Sequence, residues 1–336
     1  MKIYVDAMGG DNAPQAIVEG TLEALARYPD ISVVLGGPKE QVEPLLASAG
    51  ADLRARIELD DAPEVITNHE SPVMGVRKKT NSATVKGMLA VREGRCDGFV
   101  SAGSTGATLA GGMFRLGRIP GIERPALAPL LPNGKGHFLL IDCGANVDCK
   151  PEYLVQFGLM GDAYMRGVQG MSNPRVGLIN IGAEAEKGNA LVKAVYPMME
   201  AAPYHFVGNV EARDITGDQA DVLVADGFSG NLVLKFMEGV AATLMGIIKK
   251  ELLADIRGKV SALIGKPAFR RVKKTMDYTE VGGAPLLGVQ GAVVKAHGSS
   301  NAHAFASAIG QCKKMIDGKV VDIIAEGVRK MTATEA

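Results

Sequence analysis

Cysteine is scarce in this chain, with four residues among 336, and no two of them form a C-x-x-C pair. Cys96, Cys143, Cys149 and Cys312 lie in or beside apolar runs, which is typical of a reduced cytosolic protein rather than of a disulfide framework. Cysteines in such runs usually pack as small apolar side chains and do not act as nucleophiles. We therefore expect structural cysteines and a cytoplasmic location.

The chain also lacks an excess of either charge, since Lys plus Arg and Asp plus Glu both number 37. Non-specific nucleic-acid binding needs surplus positive charge, so no nucleic-acid partner is expected. The N-terminal run MKIYVDAMGGD is too short in apolar residues for a signal peptide. The longest charge-free stretch, residues 98–114, is interrupted by Gly, Ser and Thr, which disfavours a membrane span there.

Signatures of nucleotide and metal sites are missing as well. No G-x-x-x-x-G-K-[ST] sequence occurs, and the Gly-rich residues 103–112 do not match G-x-G-x-x-G, which argues against ATP and dinucleotides. His69 and Glu70 have no second His at helical spacing, so a zincin-type centre is not indicated. We predict a protein that uses no cofactor and no metal.

What the sequence does contain is a regular alternation of apolar runs and amphipathic stretches. Strands are predicted at residues 2–7, 31–35, 56–59, 98–102, 137–142, 176–181, 205–208 and 222–225. Helices are predicted at residues 14–28, 39–48, 76–93, 106–116, 152–168 and 184–199, and an antiparallel hairpin at 285–288 and 292–297. This pattern predicts a three-layer α/β/α fold with a mainly parallel sheet. No repeat or linker divides residues 1–336, so we expect one domain with a helical protrusion at about 231–276.

Six loops that follow predicted strands or the hairpin combine glycine with small hydrogen-bonding side chains. They occupy residues 6–14, 101–108, 141–152, 180–189, 226–231 and 296–303. Ligands of open α/β sheets bind beyond the carboxyl ends of the strands, where such loops expose backbone N–H groups to an anion. Any one of these loops alone is explained as a tight turn with a helix cap. Six together favour a phosphate-binding site.

These loops also carry a family resemblance. VDAMGGDNAP, SAGSTGA, RPA at 124–126, IDCGANVDCKPE, INIGAEAEKGN, VADGFSGN and HGSS resemble, in order and over nearly the whole chain, the bacterial phosphate acyltransferase (PlsX) family of phospholipid synthesis. The resemblance implies transfer of a long acyl chain from acyl carrier protein to inorganic phosphate, which yields acyl phosphate. It further implies a downstream membrane acyltransferase as a partner.

A more distant resemblance leaves alternatives open. SAGSTGAT, DCGAN, PRVGLINIG and DGFSGN are similar to segments of phosphate acetyl- and butyryltransferases, which in turn resemble the isopropylmalate dehydrogenase fold. A short-chain acyltransferase that uses acyl-coenzyme A is therefore one alternative. A phosphate- or nucleotide-binding regulatory scaffold without turnover is another.

The chemistry of acyl transfer to phosphate agrees with these residues. Phosphate is itself the nucleophile and a thioester is already activated, so no acyl-enzyme is required and the absence of G-x-S-x-G is expected. The protein must position a phosphate dianion, stabilise the tetrahedral oxyanion and ease departure of the thiolate.

Three residues are the catalytic candidates. Lys187 follows the strand-end Asn180 and would neutralise phosphate or oxyanion charge; the alternative is a solvated lysine in the first turns of a helix. His297 would handle a proton or bind phosphate, although with Ser299 it lies where the acetyltransferase relatives carry a Ser-Arg pair, and a structural histidine is the alternative. Asn180 completes this set.

The substrate-binding candidates lie on the other loops, where helix capping is the competing explanation. The carboxylates and Asn of the first loop would orient cationic groups, the Ser-Thr-Gly run would cradle phosphate at a helix N-terminus, and two Asn would donate to the intermediate. The candidates are Asp6, Asp11, Asn12, Ser104, Thr105, Gly106, Asn146, Asn189, Asn231 and Ser299.

The segment after residue 231 predicts two kinds of contact. Asn231 is expected to cap a helix whose apolar residues cover more than one stripe, which predicts a homodimer or an unusually apolar core helix. Those apolar residues are Leu232, Val233, Phe236, Met237, Val240, Leu244, Ile247 and Ile248.

Residues 257–274 contain seven basic residues and no acidic one, interleaved with apolar residues. This composition predicts peripheral contact with an anionic membrane or with the acidic acyl carrier protein, and a solvated helical face is the alternative. The basic residues are Arg257, Lys259, Lys266, Arg270, Arg271, Lys273 and Lys274.

Overall fold

A computed structural model describes residues 1–134, 136–276 and 282–334. The described strands are β1 (Lys2–Asp6), β2 (Ser32–Gly37), β3 (Ile57–Asp61), β4 (Gly98–Ser101), β5 (Ala126–Leu127), β6 (Leu130–Asn133), β7 (Gly136–Ile141), β8 (Arg175–Asn180), β9 (His205–Glu211), β10 (Val222–Val224), β11 (Ala284–Leu287) and β12 (Ala292–Lys295). They form a seven-stranded sheet in the order β3-β2-β1-β4-β12-β11-β5 and a five-stranded sheet in the order β6-β7-β10-β8-β9.

Helices connect and cover these sheets. They are α1 (Gln15–Arg27), α2 (Lys39–Val42), α3 (Ala51–Arg54), α4 (Pro72–Lys78), α5 (Ala83–Arg92), α6 (Thr105–Gly111), α7 (Pro151–Gln169), α8 (Ala190–Glu200), α9 (Gly227–Leu252), α10 (Ile256–Met276), α11 (Ala302–Asp317) and α12 (Val320–Thr334). A π-helical turn at Gly112–Leu116 extends α6, and a 3-10 turn at Glu43–Leu46 extends α2.

The mainly parallel arrangement and all eight predicted strands are confirmed. The predicted hairpin is confirmed as the antiparallel pair β11 and β12, and β12 also pairs in parallel with β4. The expectation of one sheet is wrong, because the strands divide between two sheets. Alternation of apolar runs indicates that strands exist but does not indicate which strands pair.

Two predicted helices have different bounds because polar caps intervene. The predicted helix at 76–93 is broken into α4 and α5, since Ser82 caps α5 by accepting a hydrogen bond from the N–H of Val85 at 3.4 Å. The predicted helix at 184–199 begins only at Ala190, since the Asn189 side chain accepts from the N–H of Val192 at 3.0 Å. Residues 181–189 therefore form a loop.

The largest apolar cluster contains residues from both sheets. Val5 and Val100 come from the seven-stranded sheet, and Leu139 and Val176 come from the five-stranded sheet. Because one core is continuous beneath both, the two sheets hold each other in place. The single-domain organisation stays a prediction, and this shared core is the observation that supports it.

The carboxyl ends of the parallel strands meet at one edge in each sheet. In the seven-stranded sheet, Lys295 at the end of β12 pairs with Ser101 at the end of β4, and β1 runs parallel to β4. In the five-stranded sheet, β7, β10 and β8 run parallel and end together. This arrangement gathers the polar strand-end loops into two neighbouring groups.

The segment predicted as a protrusion is occupied by α9 and α10. Val233, Leu234 and Met237, at the start of α9, pack against the core beside β7. On another side of α9 an apolar stripe is between 47% and 70% exposed; it consists of Phe228, Leu232, Phe236, Val240, Leu244 and Ile247. By length and composition α9 is able to cross a membrane, although a single helix of this kind is weak evidence for a span.

Candidate active site

A cavity of about 440 Å³ lies where the carboxyl ends of the two sheets face each other. One wall comes from the loop after β4 and the end of β12. The other wall comes from the loop after β7 and the first turns of α9. The small and polar residues that line it are Asn68, Gly103, Thr105, Cys143, Gly144, Asn231, Lys235, Glu238, Lys295, His297 and Gly298.

Lys295 is the buried cation of this cavity, with only 8% of its surface exposed. Its Nζ donates to the carbonyl oxygens of Ala102, at 3.3 Å, and of Ala296. Burial lowers the pKa of the Lys295 ammonium to about 8, while the negative charges of Asp11 and Asp6 act in the opposite direction. Since burying a charge is costly without a counter-charge, an anion in the cavity would be bound favourably beside it.

Sequence reasoning missed Lys295. It ends the apolar run Ala292-Val293-Val294, so the pattern predicts only a strand. The available signal was the lysine itself, because a charged side chain at the end of a buried strand is seldom found without a partner or a function. Lys235 and Glu238 were also missed, and they form an ion pair of 2.8 Å on α9 at the cavity wall.

Asp6 lies behind the loop after β4 and is buried. It accepts hydrogen bonds from the hydroxyls of Ser101, at 2.8 Å, and Thr84, at 3.2 Å. Burial raises the pKa of Asp6, and these hydrogen bonds oppose that shift. Ser101 Oγ in turn accepts from the N–H of Gly103 at 2.9 Å, so Asp6 orients the cavity loop from behind.

Asp11 and Asn12 join the first loop to the loop that contains His297. The N–H of Asp11 donates to the carbonyl of Gly298 at 2.8 Å. The Asn12 amide donates to the carbonyls of Ser299 and Ser300, both at 3.2 Å. Asn12 therefore fixes the position of that loop.

His297 lines the cavity and is partly buried. Its Nδ1 accepts from the N–H of Ser299 at 3.2 Å and contacts the Ser299 hydroxyl at 2.8 Å. An accepting Nδ1 places the hydrogen of the neutral ring on Nε2, so the ring is a donor at that atom. Burial lowers the pKa of His297, which favours this neutral form near neutral pH.

Asp142 organises the loop after β7. Its carboxylate accepts from the N–H of Leu127 at 2.9 Å, from that of Ala145 at 3.3 Å, and from both the N–H and the amide of Asn146 at 2.7 and 3.0 Å. Burial raises the pKa of Asp142, and these donors oppose the shift. Asn146 also donates to Pro125 O at 2.9 Å, so its amide holds the loop together and does not line the cavity.

Asn231 lines the cavity. The sequence predicts that Asn231 caps a helix, and this prediction is wrong. Asp226 caps α9 by accepting from the N–H of Ser229 at 2.8 Å, which places Asn231 in the second turn. The helix approaches the β7 loop closely here, because a Cβ on Gly230 would collide with the carbonyl oxygen of Asp142. Glycine at this position thus allows α9 to form the cavity wall.

Of the Ser-Thr-Gly run, only Thr105 lines the cavity. Ser104 caps α6, accepting from the N–H of Ala107 at 3.4 Å. Gly106 packs against Pro72, where a Cβ would lie 2.6 Å from the ring. The capping explanation therefore accounts for Ser104, and Asn189 likewise caps α8.

Lys187 and Asn180 do not line this cavity. Asn180 is buried at the end of β8, where its amide donates to the carbonyl of Lys187 at 3.1 Å. Lys187 is exposed in the loop after β8, so its placement in a helix is wrong. Because β8 runs parallel to β10 and next to it, this loop sits at the same carboxyl ends of the sheet as the cavity, two strands away from β7.

Two further features bear on the chemistry. Burial raises the pKa of the Cys143 thiol well above its ordinary value, which keeps this cavity-wall cysteine protonated and a poor nucleophile. Within residues 1–134, 136–276 and 282–334, no three His, Cys, Asp or Glu side chains are grouped so that they could hold a metal ion.

Most of the predicted basic face lies on exposed turns of α10. Arg257, Lys259, Lys266, Arg270 and Arg271 are exposed. The side chains of Lys273 and Lys274 lie outside the described part of the structure.

Comparisons with known proteins agree with the fold. The model of a family described as "Fatty acid synthesis protein" matches residues 1–322. A phosphate acyltransferase of Alkaliphilus oremlandii is 47% identical over 331 residues, which cover 98% of each chain. A phosphotransacetylase from Streptococcus pyogenes superposes with a TM-score of 0.60 at 17% identity, covering 96% of this chain and 94% of that one.

A 4-hydroxythreonine-4-phosphate dehydrogenase from Salmonella typhimurium gives a TM-score of 0.52 at 11% identity, over 94% of this chain and 99% of that one. At such identities the two solved structures are evidence for the fold alone. They confirm the predicted likeness to phosphotransacetylase-like and dehydrogenase-like folds.

Proposed function

The chain belongs to the fatty acid synthesis protein family, and from this premise we propose that it is a phosphate acyltransferase that moves a long acyl chain from acyl carrier protein to inorganic phosphate. The observation that carries the proposal is the buried ammonium of Lys295 in a cavity that lies where two sets of strand-end loops meet. The name shared by the relatives supports the reaction, and the apolar surface of α9 and the basic face of α10 support a long-chain carrier-bound donor.

The reaction needs no covalent intermediate on the protein. A phosphate oxygen held beside Lys295 attacks the thioester carbonyl carbon, an O–C bond forms, and the C–S bond breaks as the carrier thiolate leaves. Phosphate supplies the nucleophile, which agrees with a Cys143 thiol that burial keeps protonated.

The transition state carries negative charge on the former carbonyl oxygen. His297 Nε2–H and the Asn231 amide are the donors at the cavity that we assign to this oxyanion. A preorganised donor of this kind contributes about 3 kcal/mol. Thr105 and the backbone at Gly103 complete the phosphate side.

We propose that Lys187 neutralises phosphate charge from outside the cavity. Its support is the position of its loop at the same sheet edge and the exposure of its side chain. Lys187 differs from Lys295 in position and in burial: it lies outside the cavity, and an exposed ammonium is screened by water and interacts less strongly with phosphate.

The direct test is incubation of the protein with palmitoyl-acyl carrier protein and phosphate. We expect release of the carrier thiol together with acyl phosphate, and no release when phosphate is omitted. Palmitoyl- and acetyl-coenzyme A in parallel reactions test the short-chain alternative. Equal thiol release without phosphate would show that the nucleophile is water and that the proposal is wrong.

We propose that the exposed stripe of α9 packs against a second copy of the chain. Its support is the run of large apolar side chains that no described part of the chain covers, from Phe228 to Ile247. Burial of this stripe in a homodimer would remove it from water. Light scattering at micromolar protein is expected to give twice the mass of 35.2 kDa, and a monomeric mass would contradict the dimer.

We further propose that α10 brings a cytoplasmic protein to anionic membranes, where a downstream membrane acyltransferase would receive the acyl phosphate. Its support is the combination of exposed Ile256, Leu263 and Ile264 with the basic residues of the same helix. A basic amphipathic helix binds anionic lipid surfaces by burying its apolar face and placing its cations near the headgroups.

Replacement of Arg257, Lys259 and Arg270 by Gln is expected to weaken binding to anionic vesicles by about tenfold or more. Sedimentation with phosphatidylglycerol vesicles measures this, and phosphatidylcholine vesicles provide the control without surface charge. If the variant sediments like the parent chain, but its KM for acyl carrier protein rises, the basic face binds the carrier instead.

A further inference from the structure

One face of α9 borders both the active-site cavity and a second, apolar groove. Four positions near the start of the helix line the cavity: Asn231, Leu234, Lys235 and Glu238. The groove, of about 620 Å³, lies between α9 and α10, and its lining positions on α9 include Met245, Ile248, Lys249 and Leu252. Steps of three and four residues place all of these positions on the same side of the helix.

The two alanines Ala241 and Ala242 separate the cavity from the groove. They lie three and four residues after Glu238 and four and three residues before Met245, so they belong to the same face. Glu238 and Met245 are about 10 Å apart along the axis. Alanine projects only a methyl group. The face of α9 between the cavity and the groove therefore leaves space for a narrow ligand.

The groove is suited to an apolar and flexible ligand. Met245, Ile248 and Leu252 on α9 face Ala262 and Phe269 on α10. No acidic side chain lines it, and its cations are Lys249, Lys266 and Arg270. The aliphatic stems of such residues extend an apolar wall while their charged ends remain in water, and methionine adapts to ligands of varied shape.

We propose that this face of α9 is the acyl-chain track of the enzyme: with the thioester carbonyl in the cavity, a long acyl chain crosses Ala241 and Ala242 and ends in the groove. This inference rests on the proposed function. Asn231, which we assign to the thioester carbonyl oxygen, and Met245, the first residue of the groove, are about 21 Å apart along the helix axis, which is close to the length of an extended palmitoyl chain. A chain half as long ends near Glu238, before the two alanines, so only the longer chain crosses them and buries its additional methylenes at the groove.

The exposed stripe used for the proposed dimer is a different face. Its members, such as Leu232 and Phe236, lie one position away from the cavity residues Asn231 and Lys235, which on a helix is a turn of about 100°. The track is therefore compatible with a partner copy on the stripe.

The test compares palmitoyl and octanoyl donors in the full-length protein. Ala241→Phe and Ala242→Phe, each made alone, place a ring in the path, and the ratio of kcat/KM for palmitoyl to that for octanoyl thioester is expected to fall about tenfold or more. Thr243→Phe adds the same ring on the neighbouring exposed side of α9 and is expected to leave the ratio unchanged. Turnover of the octanoyl donor shows that each variant is folded.

The possible outcomes distinguish a failure of the acyl-chain track from a failure of the proposed function. If the parent chain forms acyl phosphate but both alanine variants keep its palmitoyl-to-octanoyl ratio, the track is wrong and the proposed function stands. An equal loss in the Thr243→Phe variant would likewise overturn it, since the effect would not be specific to this face. If the parent chain forms no acyl phosphate from any donor, both proposals fall.

Discussion

Lys295→Met is expected to lower kcat/KM for phosphate-dependent thioester cleavage by about two to three orders of magnitude, because it removes the buried cation that we assign to the attacking phosphate. Methionine keeps the length and apolar stem of the side chain but removes the ammonium that donates to Ala102 and Ala296 beside the cavity. The effect is expected to appear mainly in the dependence on phosphate concentration. Steady-state thiol release with varied phosphate measures it.

Lys187→Met is the matched variant, since it removes a cation from the exposed loop at the same sheet edge. If Lys187→Met abolishes turnover and Lys295→Met does not, phosphate binds at the loop after β8 and the cavity assignment is wrong. If both variants lose activity, the two lysines act on different parts of the same substrate pair.

The pH dependence gives Lys295 a second signature. Its pKa in the folded chain is about 8, against an ordinary value of 10.5, so the ammonium is lost as pH rises through about 8 and phosphate affinity is expected to fall there. Between these two values the unfolded chain binds more protons, so this group makes stability rise with pH. Activity and thermal stability are therefore expected to change in opposite directions, and Lys295→Arg is expected to flatten the activity profile.

Asp142→Ala is expected to have the largest effect on stability, a loss of about 3 to 5 kcal/mol. The substitution leaves the buried N–H groups of Leu127, Ala145 and Asn146 without their acceptor. The hydrogen bonds of these groups to Asp142 hold β5 against the loop after β7, so their loss is expected to loosen this wall of the cavity. Thermal unfolding measures the change.

Asp148→Ala is the control for Asp142, because this aspartate lies in the same loop but is exposed. It is expected to change the melting temperature only slightly. A melting temperature of Asp142→Ala within a degree or two of the parent would show that water satisfies the abandoned donors and that Asp142 does not hold the wall.

The sequence was a good guide to features that depend on neighbouring residues. Apolar runs of strand length predicted every parallel strand of the two sheets. The loops at the strand ends indicated the ends of the sheets at which the cavity lies. The pairing of β12 with β4, in contrast, joins residues almost two hundred positions apart. No local pattern encodes which strands pair, so neither this pairing nor the division of the strands into two sheets was predicted.

The candidate site shows a related limit. Glycine and Asn patterns identified loops such as those of His297 and Asn231, both of which line the cavity. They did not distinguish side chains that face a ligand from those that hold the loop, such as Asn146 and Asn12, whose amides bond to the backbone. Lys295 was missed because a strand pattern gives no indication of what a charged residue at the end of a strand contacts.

The cavity is assembled from two walls that come from different sheets, and this division has an evolutionary consequence. The charge that would hold phosphate belongs to β12 and its loop, whereas the surface that would accept the acyl group belongs to α9. Substitutions along α9 can therefore alter the choice of donor without disturbing the anion. In a fold of this kind the acyl substrate can change through successive substitutions on α9 while phosphate stays the nucleophile. The reason is that the two reactants would be bound by different structural elements.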